Sequence, residues 1–267
     1  HLIIDRGTAL PEESFFKNVV DRVTAVGTAF MGMSVHCASC HDHKYDPLTQ
    51  KDFYSLFAFF NNIDAAPETG GGPKNGRQAP IAGVATPEQQ EKKNDLNERL
   101  ARLETELQLA KKAAQAEKDP ERKKPLAELE RKLESKKKDL EKQRGELERA
   151  MPRAMVMKER SEVRPTHIMK RGRYDDPGEE VTRNTPEFFP AMKKKGKTAS
   201  RSDLAEWFVD RRNPLTARVA VNRFWQQLFG VGLVKTSEDL GTQGEAPSHP
   251  ELLDYLTVSF IESNWDI

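Results

Sequence analysis

Cysteine is nearly absent: among 267 residues there are two, Cys37 and Cys40. That scarcity excludes a disulfide framework and a four-cysteine zinc site. Net charge is missing too, because 43 Lys and Arg stand against 42 Asp and Glu for a formal +1. The balance leaves no electrostatic footprint for nucleic acid. No run approaches the roughly 18 apolar residues that a membrane-spanning helix needs. Apolar residues make up 36% and charged residues 32%, so part of the chain is expected to be solvated helix rather than core. The chain starts at His1 without an initiator methionine and stops at Trp265-Asp266-Ile267, just past an amphipathic run. It reads as a fragment of a larger protein, with any signal peptide lying outside it.

What the chain does have is a dense cluster, His36-Cys37-Ala38-Ser39-Cys40-His41-Asp42-His43. Cys37, Cys40 and His41 follow the C-x-x-C-H spacing of covalent haem attachment, in which each thiol adds to a vinyl group and the adjacent imidazole coordinates the iron. The vinyls lie on neighbouring edges of one porphyrin, so the thiols need to be about one backbone turn apart. Two rivals stay open, a structural zinc site and a structural or redox dithiol. Zinc could draw on His36, His41 and His43, although four ligands in so short a stretch would strain a tetrahedron, and only isolated His167 and His249 stand further off. For the sixth position on a haem iron the candidates are Met31, Met33, Met155, Met157, Met169, His43 and His167. His43 is too close to His41 to reach the opposite face, and it reads as structural, as does His36.

Helical spacing of Phe16, Val19, Val20, Val23, Val26 and Phe30 predicts a helix from Pro11 that delivers the chain to the cluster. Tyr45-Asp46-Pro47 reads as a turn, and Thr49 with Asp52 as the capping signature of a helix carrying Phe53, Leu56, Phe57 and Phe60. Residues 64–86, rich in Ala, Gly and Pro, read as a flexible linker. From Pro87 the leucines and alanines Leu96, Leu100, Leu103, Leu107, Ala110 and Ala114 form a heptad seam. The seam is expected to break at Lys118-Asp119-Pro120 and Pro125, and to resume through Leu126, Leu129, Leu133, Leu140, Leu147 and Met151, with Lys136 and Gln143 in two seats. Two arms of similar length joined by a short turn predict an antiparallel coiled-coil hairpin, a solvated spacer or a surface for a protein partner.

Beyond Pro152 short extended segments and turns are expected up to Pro190, with a basic loop from Lys193 to Lys197. Three helices follow. Ser202 is the expected cap of one carrying Leu204, Trp207 and Phe208. Asn213-Pro214 opens one from Leu215 to Phe229 that buries Ala217, Val221, Phe224, Trp225 and Leu228, with Arg218 and Asn222 on another face. Ser248 and Glu251 form the expected capping box of a last helix. The fold class is therefore mainly α: a small helical segment to residue 63, a linker at 64–86, the hairpin at 87–151, and a helical domain with a few short extended segments at 152–267.

Two blocks of residues carry a family resemblance. The run from Phe30-Met31-Gly32-Met33 through His36-Cys37-Ala38-Ser39-Cys40-His41 to Tyr45-Asp46-Pro47, with Lys51-Asp52-Phe53-Tyr54 and Phe59-Phe60-Asn61-Asn62, resembles the end of a planctomycete cytochrome-C-type domain of unknown function. The run Asn213-Pro214-Leu215-Thr216-Ala217-Arg218, continuing to Phe224-Trp225, with Phe229-Gly230-Val231-Gly232 and Pro247-Ser248-His249-Pro250-Glu251, resembles the start of the planctomycete-specific domain that follows it. The resemblance implies a large exported protein, periplasmic or at the cell surface, with haem c bound by Cys37, Cys40 and His41. It supplies no catalytic residues, and enzymatic activity is not the expectation for this segment. The leading reading is electron transfer or redox sensing with an unidentified redox partner. The alternatives are a polysaccharide-related hydrolase or binding site using Arg218, Asn222, Arg223, Glu238, Asp239 or His249, and zinc at the cluster with a scaffold role for the hairpin.

Overall fold

The computed structural model describes residues 10–63, 81–117 and 119–267. It is mainly α. Residues 64–80 of the expected linker, its Gly70-Gly71-Gly72-Pro73 included, and Lys118 at the expected seam break lie outside the described residues. The chain divides into two compact units, one of residues 1–72 together with 157–267 and one of residues 73–156.

In the first unit α1 spans Pro11–Val26, with proline in its first turn and Glu12 and Glu13 at the positive end of the helix dipole. α2 spans Gln50–Asn61 and starts with a complete capping box: the Asp52 amide donates to Thr49 Oγ1 at 3.1 Å, and the Thr49 amide to Asp52 Oδ2 at 2.9 Å. Rather than one buried stripe, α2 is covered nearly all round, from Asp52 to Asn61. A helix apolar on every side belongs at the centre of a core. Tyr54, Phe53 and Phe59 are among the largest fully buried side chains, packed with Val19 and Val23 of α1 and with Leu204, Trp207 and Phe208. Phe30, expected on the α1 face, is instead 45% exposed and stacks on Phe208 at 5.0 Å, because the helix widens into a π turn at Gly27–Met31.

The extended region forms a two-stranded antiparallel sheet of β3 (Thr166–Met169) and β4 (Pro177–Val181), with Thr166 opposite Val181. Ahead of it Glu159 pairs as an isolated bridge with Ile63 at the end of α2. The Glu159 carboxylate accepts from Asn62 Nδ2 and Arg183 Nη2, each at 2.8 Å, and lies 3.4 Å from Arg201 Nη1. Burial opposes its ionisation, but these donors outweigh it and hold the carboxyl below its ordinary range.

α5 (Arg201–Phe208) is capped by Ser200 with Asp203, not by Ser202. α6 (Thr216–Phe229) starts one residue later than expected. Asn213 Oδ1 accepts from the Leu215 and Thr216 amides, so the asparagine still caps the turn. Its buried face holds Ala217, Val219 and Val221, whereas Leu228 is 78% exposed. α7 (Pro250–Glu262) has no side-chain cap. The expected Ser248–Glu251 box does not form because both the amide and the hydroxyl of Ser248 donate to the Leu233 carbonyl. In the expected basic loop, Lys195 is ion-paired with Glu206.

The second unit is the predicted hairpin. α3 (Pro87–Ala116) and α4 (Pro120–Ala150) run antiparallel, as the cross-pairs show: Lys93 with Glu148, Glu104 with Lys137, Lys111 with Glu134. The seam buries Leu96, Leu100, Leu103, Leu107 and Ala110 against Leu133 and Leu140, while Leu129 is 46% exposed and Lys136 and Gln143 face solvent. Pro125 does not interrupt the helix; it lies inside α4. It removes the bond to the Glu121 carbonyl, and at this exposed first turn water can satisfy that carbonyl instead. Below the helices β1 (Ile81–Gly83) pairs antiparallel with β2 (Arg153–Met155), so the end of the expected linker is a strand.

Candidate functional site

The cysteine turn is shaped by two glycines. A Cβ on Gly27 would come within 2.5 Å of Val35 Cγ2, and Gly32, at φ 57°, would drive one to 2.7 Å from Val219 Cγ2. The backbone therefore doubles back tightly after α1 and continues as a 3₁₀ helix at Val35–Ser39. Three residues per turn put positions i and i+3 one above the other. Val35 and Ala38 accordingly point into the core, fully buried, while Cys37 and Cys40 share the outer face, free and exposed. The Cys40 and His41 amides both donate to the Cys37 carbonyl, at 3.2 and 3.5 Å.

Three elements hold this turn from beneath. Tyr54 of α2 donates its hydroxyl to the Ser39 carbonyl at 2.9 Å, and Gln50 Nε2 bridges the Ser39 and Met169 carbonyls, each at 3.2 Å. Burial, then the neighbouring Cys40, pushes the Tyr54 phenol up from its usual range, so it stays a hydrogen-bond donor. The turn at Lys170–Gly172 lies on the second thiol: Gly172, at φ 70°, has no room for a Cβ, which would sit 2.5 Å from Cys40 Sγ.

The two histidines that follow differ in what their Nδ1 atoms meet. His41 Nδ1 lies 2.7 Å from the Asp42 carbonyl, which can only accept, so of the two neutral tautomers this contact selects the one with the proton on Nδ1 and the lone pair on Nε2. His43 is buried, and its Nδ1 accepts from the Asp46 amide at 2.9 Å. It is spent on the turn. His36 is exposed with its Nδ1 3.4 Å from Thr24 Oγ1.

Of the other expected iron ligands, Met31 and Met33 are buried in the core, Met157 and Met169 pack half-buried against it, and Met155 belongs to β2 in the other unit. His167 lines, with Met169, an apolar cavity of about 380 Å³ that includes none of Cys37, Cys40 and His41. Among the described residues no three His, Cys, Asp or Glu side chains converge on a point that would hold a metal ion.

The C-terminal candidates scatter. Arg218 pairs with Asp254 at 2.7 Å. Asn222 is fully buried, giving Nδ2 to the Val234 carbonyl at 2.9 Å and taking the Val234 amide at 2.8 Å. His249 Nδ1 lies 3.1 Å from Ser248 Oγ. Arg223, Glu238 and Asp239 do come together, lining a polar cleft with Gln226 and Gln227. Within it Asp239 is already engaged, by Ser34 Oγ at 3.0 Å and the Gly241 amide at 2.9 Å. Residues that sequence reasoning missed are those fastening the turn to this segment: the Leu240 amide to the Gly32 carbonyl at 2.6 Å, and Thr242, whose amide and hydroxyl both give to Asp46 Oδ1 at 2.7 Å. They lie roughly two hundred residues from their partners in the chain, and no local pattern marks them.

Two family models match this chain. Residues 2–65 match PSCyt2, a protein of unknown function (DUF1549), and residues 200–267 match PSD1, a protein of unknown function (DUF1553). Their order is the one the resemblance implies. The cysteine turn falls in the PSCyt2 match, and the loop that fastens it falls in the PSD1 match. No curated protein and no solved structure matches the chain. Among the described residues no helix is long and apolar enough to cross a membrane.

Proposed function

We propose that the chain is a haem c-binding module, with Cys37 and Cys40 forming the thioether links and His41 the axial ligand, and that it works in electron transfer or redox sensing. The observation that carries this reading is the orientation of the His41 ring: in its neutral form the contact of Nδ1 with the Asp42 carbonyl puts the lone pair on Nε2, in the residue directly after the second of two exposed thiols. Metal-ligating imidazoles are commonly oriented this way, with the second nitrogen tied to a carbonyl. Haem bound there supplies one-electron chemistry. The chain's own residues fix the attachment: Tyr54 and Gln50 hold the Ser39 carbonyl, Gly172 packs on Cys40, and Asp46 with His43 closes the turn behind. Since the thiols are at the surface, a redox partner can approach the group directly. Covalent attachment also implies maturation outside the cytoplasm, hence a periplasmic or cell-surface location.

The test is production of the full chain with a cytochrome c maturation system. A Soret band and a pyridine haemochrome spectrum that survive denaturation are expected, and both Cys37→Ala and Cys40→Ala should lose the stable double attachment. A matured preparation that is colourless with both thiols reactive overturns the proposal; zinc without colour would favour the metal-site alternative.

A second reading concerns the polar cleft. Gln227, Glu238 and the amide nitrogen of Gln226 offer donors and acceptors suited to a hydroxyl-rich ligand such as a saccharide, while Arg223 gives its Nη atoms to the Thr28 and Ala29 carbonyls. With Asp239 engaged by Ser34 and Gly241, the cleft lacks the pair of available carboxylates that acid–base hydrolysis uses. It supports binding, not cleavage.

A further inference from the structure

The apolar cavity is independent of the cysteine turn, though α2 links them. Gln50 and Tyr54 meet the turn, and further along the same helix Phe57 and Asn61 line the cavity. α1 contributes Phe15 and Phe16, and β3 with the residues before it contributes Arg164, Thr166, His167 and Met169. Phe16 and Phe57 stand 5.6 Å apart at a tilt of 40°, and the Asn61 amide nitrogen donates to the Pro165 carbonyl and Thr166 Oγ1. The volume, about 380 Å³, is within the range of small-molecule sites and suits one or two rings.

Along this open aromatic pocket lies one guanidinium. Arg164 lies 4.1 Å over the Phe15 ring, and among the described residues it forms no ion pair with a carboxylate. Burial, then the nearby Arg160, lowers its pKa from the usual arginine value, the mark of a cation in partly desolvated, like-charged surroundings. Of the other titratable groups on the cavity, His167 and Tyr174 are half-buried, and Glu12 is an exposed residue of the first turn of α1. A desolvated guanidinium prefers a planar anion that it can bond through two parallel N–H groups.

We propose that this cavity binds a small carboxylic acid bearing one or two apolar rings, the ring system against Phe15, Phe16 and Phe57 and the carboxylate on Arg164. This combination answers both the apolar wall and a charge that has no carboxylate partner among the described residues. A neutral aromatic would leave the guanidinium unpaired, and a compact inorganic anion would leave the aromatic wall wet.

Calorimetric or NMR titration of the full chain with benzoate, 1-naphthoate and indole-3-acetate, each beside its methyl ester, tests the assignment without a variant. At least one acid should bind about tenfold or more tighter than its ester, the scale of a charge-assisted hydrogen bond. Arg164→Gln should erase that preference, and a melting temperature within a few degrees of the parent confirms that the fold is kept. If that variant does not fold, chemical shifts of Phe16 and Phe57 in the parent should still move with the acid and far less with the ester. Acid and ester binding alike, none of the acids binding, or a folded Arg164→Gln chain that keeps the preference would overturn the proposal. None of these outcomes depends on haem, so failure here is separable from failure of the haem reading.

Discussion

His41 and His43 stand two residues apart and do opposite work, because one Nδ1 faces a carbonyl and the other an amide. His41 is exposed, whereas His43 is buried, with its own amide donating to the Leu48 carbonyl at 2.8 Å. Their substitutions should therefore separate cleanly. His43→Ala leaves the buried Asp46 amide without its acceptor and should cost about 1–3 kcal/mol, read as a lower denaturation midpoint, with the spectrum of the matured protein unchanged. His41→Ala should change that spectrum, as expected on loss of an axial ligand, while the midpoint stays close to the parent value. The expectation that His43 is structural agrees with its buried ring, which accepts from the Asp46 amide. The tautomers were not legible, because they depend on which backbone groups the fold brings to each ring. Capping shows the same limit. Thr49 with Asp52 was legible because both halves of the box are local, but Ser248 with Glu251 was not excluded by anything local; the distant Leu233 carbonyl competes for that serine.

Among the elements the hairpin was the most legible, because a heptad repeat reports its own partner. What the pattern could not say is how much irregularity the arms tolerate. α4 carries Pro125 near its start and Gly145 near its end, and both are accommodated as helix. Gly145 has open space where a Cβ would go and no positive φ to protect, so the glycine carries only its entropic cost. Gly145→Ala should stabilise the hairpin by about 1 kcal/mol, seen in the denaturation of far-UV circular dichroism as a later loss of helix. No gain, or a loss, would mean that this part of α4 is not helical in solution. α2 was legible as a helix and underestimated as a core element: its aromatic residues suggested one stripe, yet Ser55, Ala58 and Asn61 are buried as well. Small and polar side chains can be enclosed when neighbours satisfy them, as Pro165 and Thr166 do for Asn61, and hydrophobic periodicity does not register that.

At the scale of the whole chain, the sequence divides into two domains around an insertion, whereas the segments on either side of the insertion share one unit. Composition shifts locate the insertion; they are blind to bonds such as Ser34 to Asp239, Thr242 to Asp46, and Arg223 to the Thr28 and Ala29 carbonyls at 2.7 and 2.9 Å, which close the unit from opposite ends of the chain. The bridge between Ile63 and Glu159 puts the departing and returning backbones side by side. It follows that residues 64–156 should be replaceable by a short Gly/Ser turn, because the gap to be closed is a strand spacing and not a domain length, and loop closure over so few residues costs little. The shortened chain should unfold in one cooperative transition within a few degrees of the parent unit and, on the proposed haem reading, carry the group at Cys37 and Cys40 as the full chain does. The converse cut should fail: a fragment ending at residue 63 keeps the motif but loses every contact from Thr166 onward, including the cover that Val181, Leu204, Trp207 and Phe208 give to the core. It should show no cooperative melting transition. A stable fragment of that kind would mean that the cysteine turn does not need the PSD1 segment, and that the bonds across the unit fasten a domain already folded.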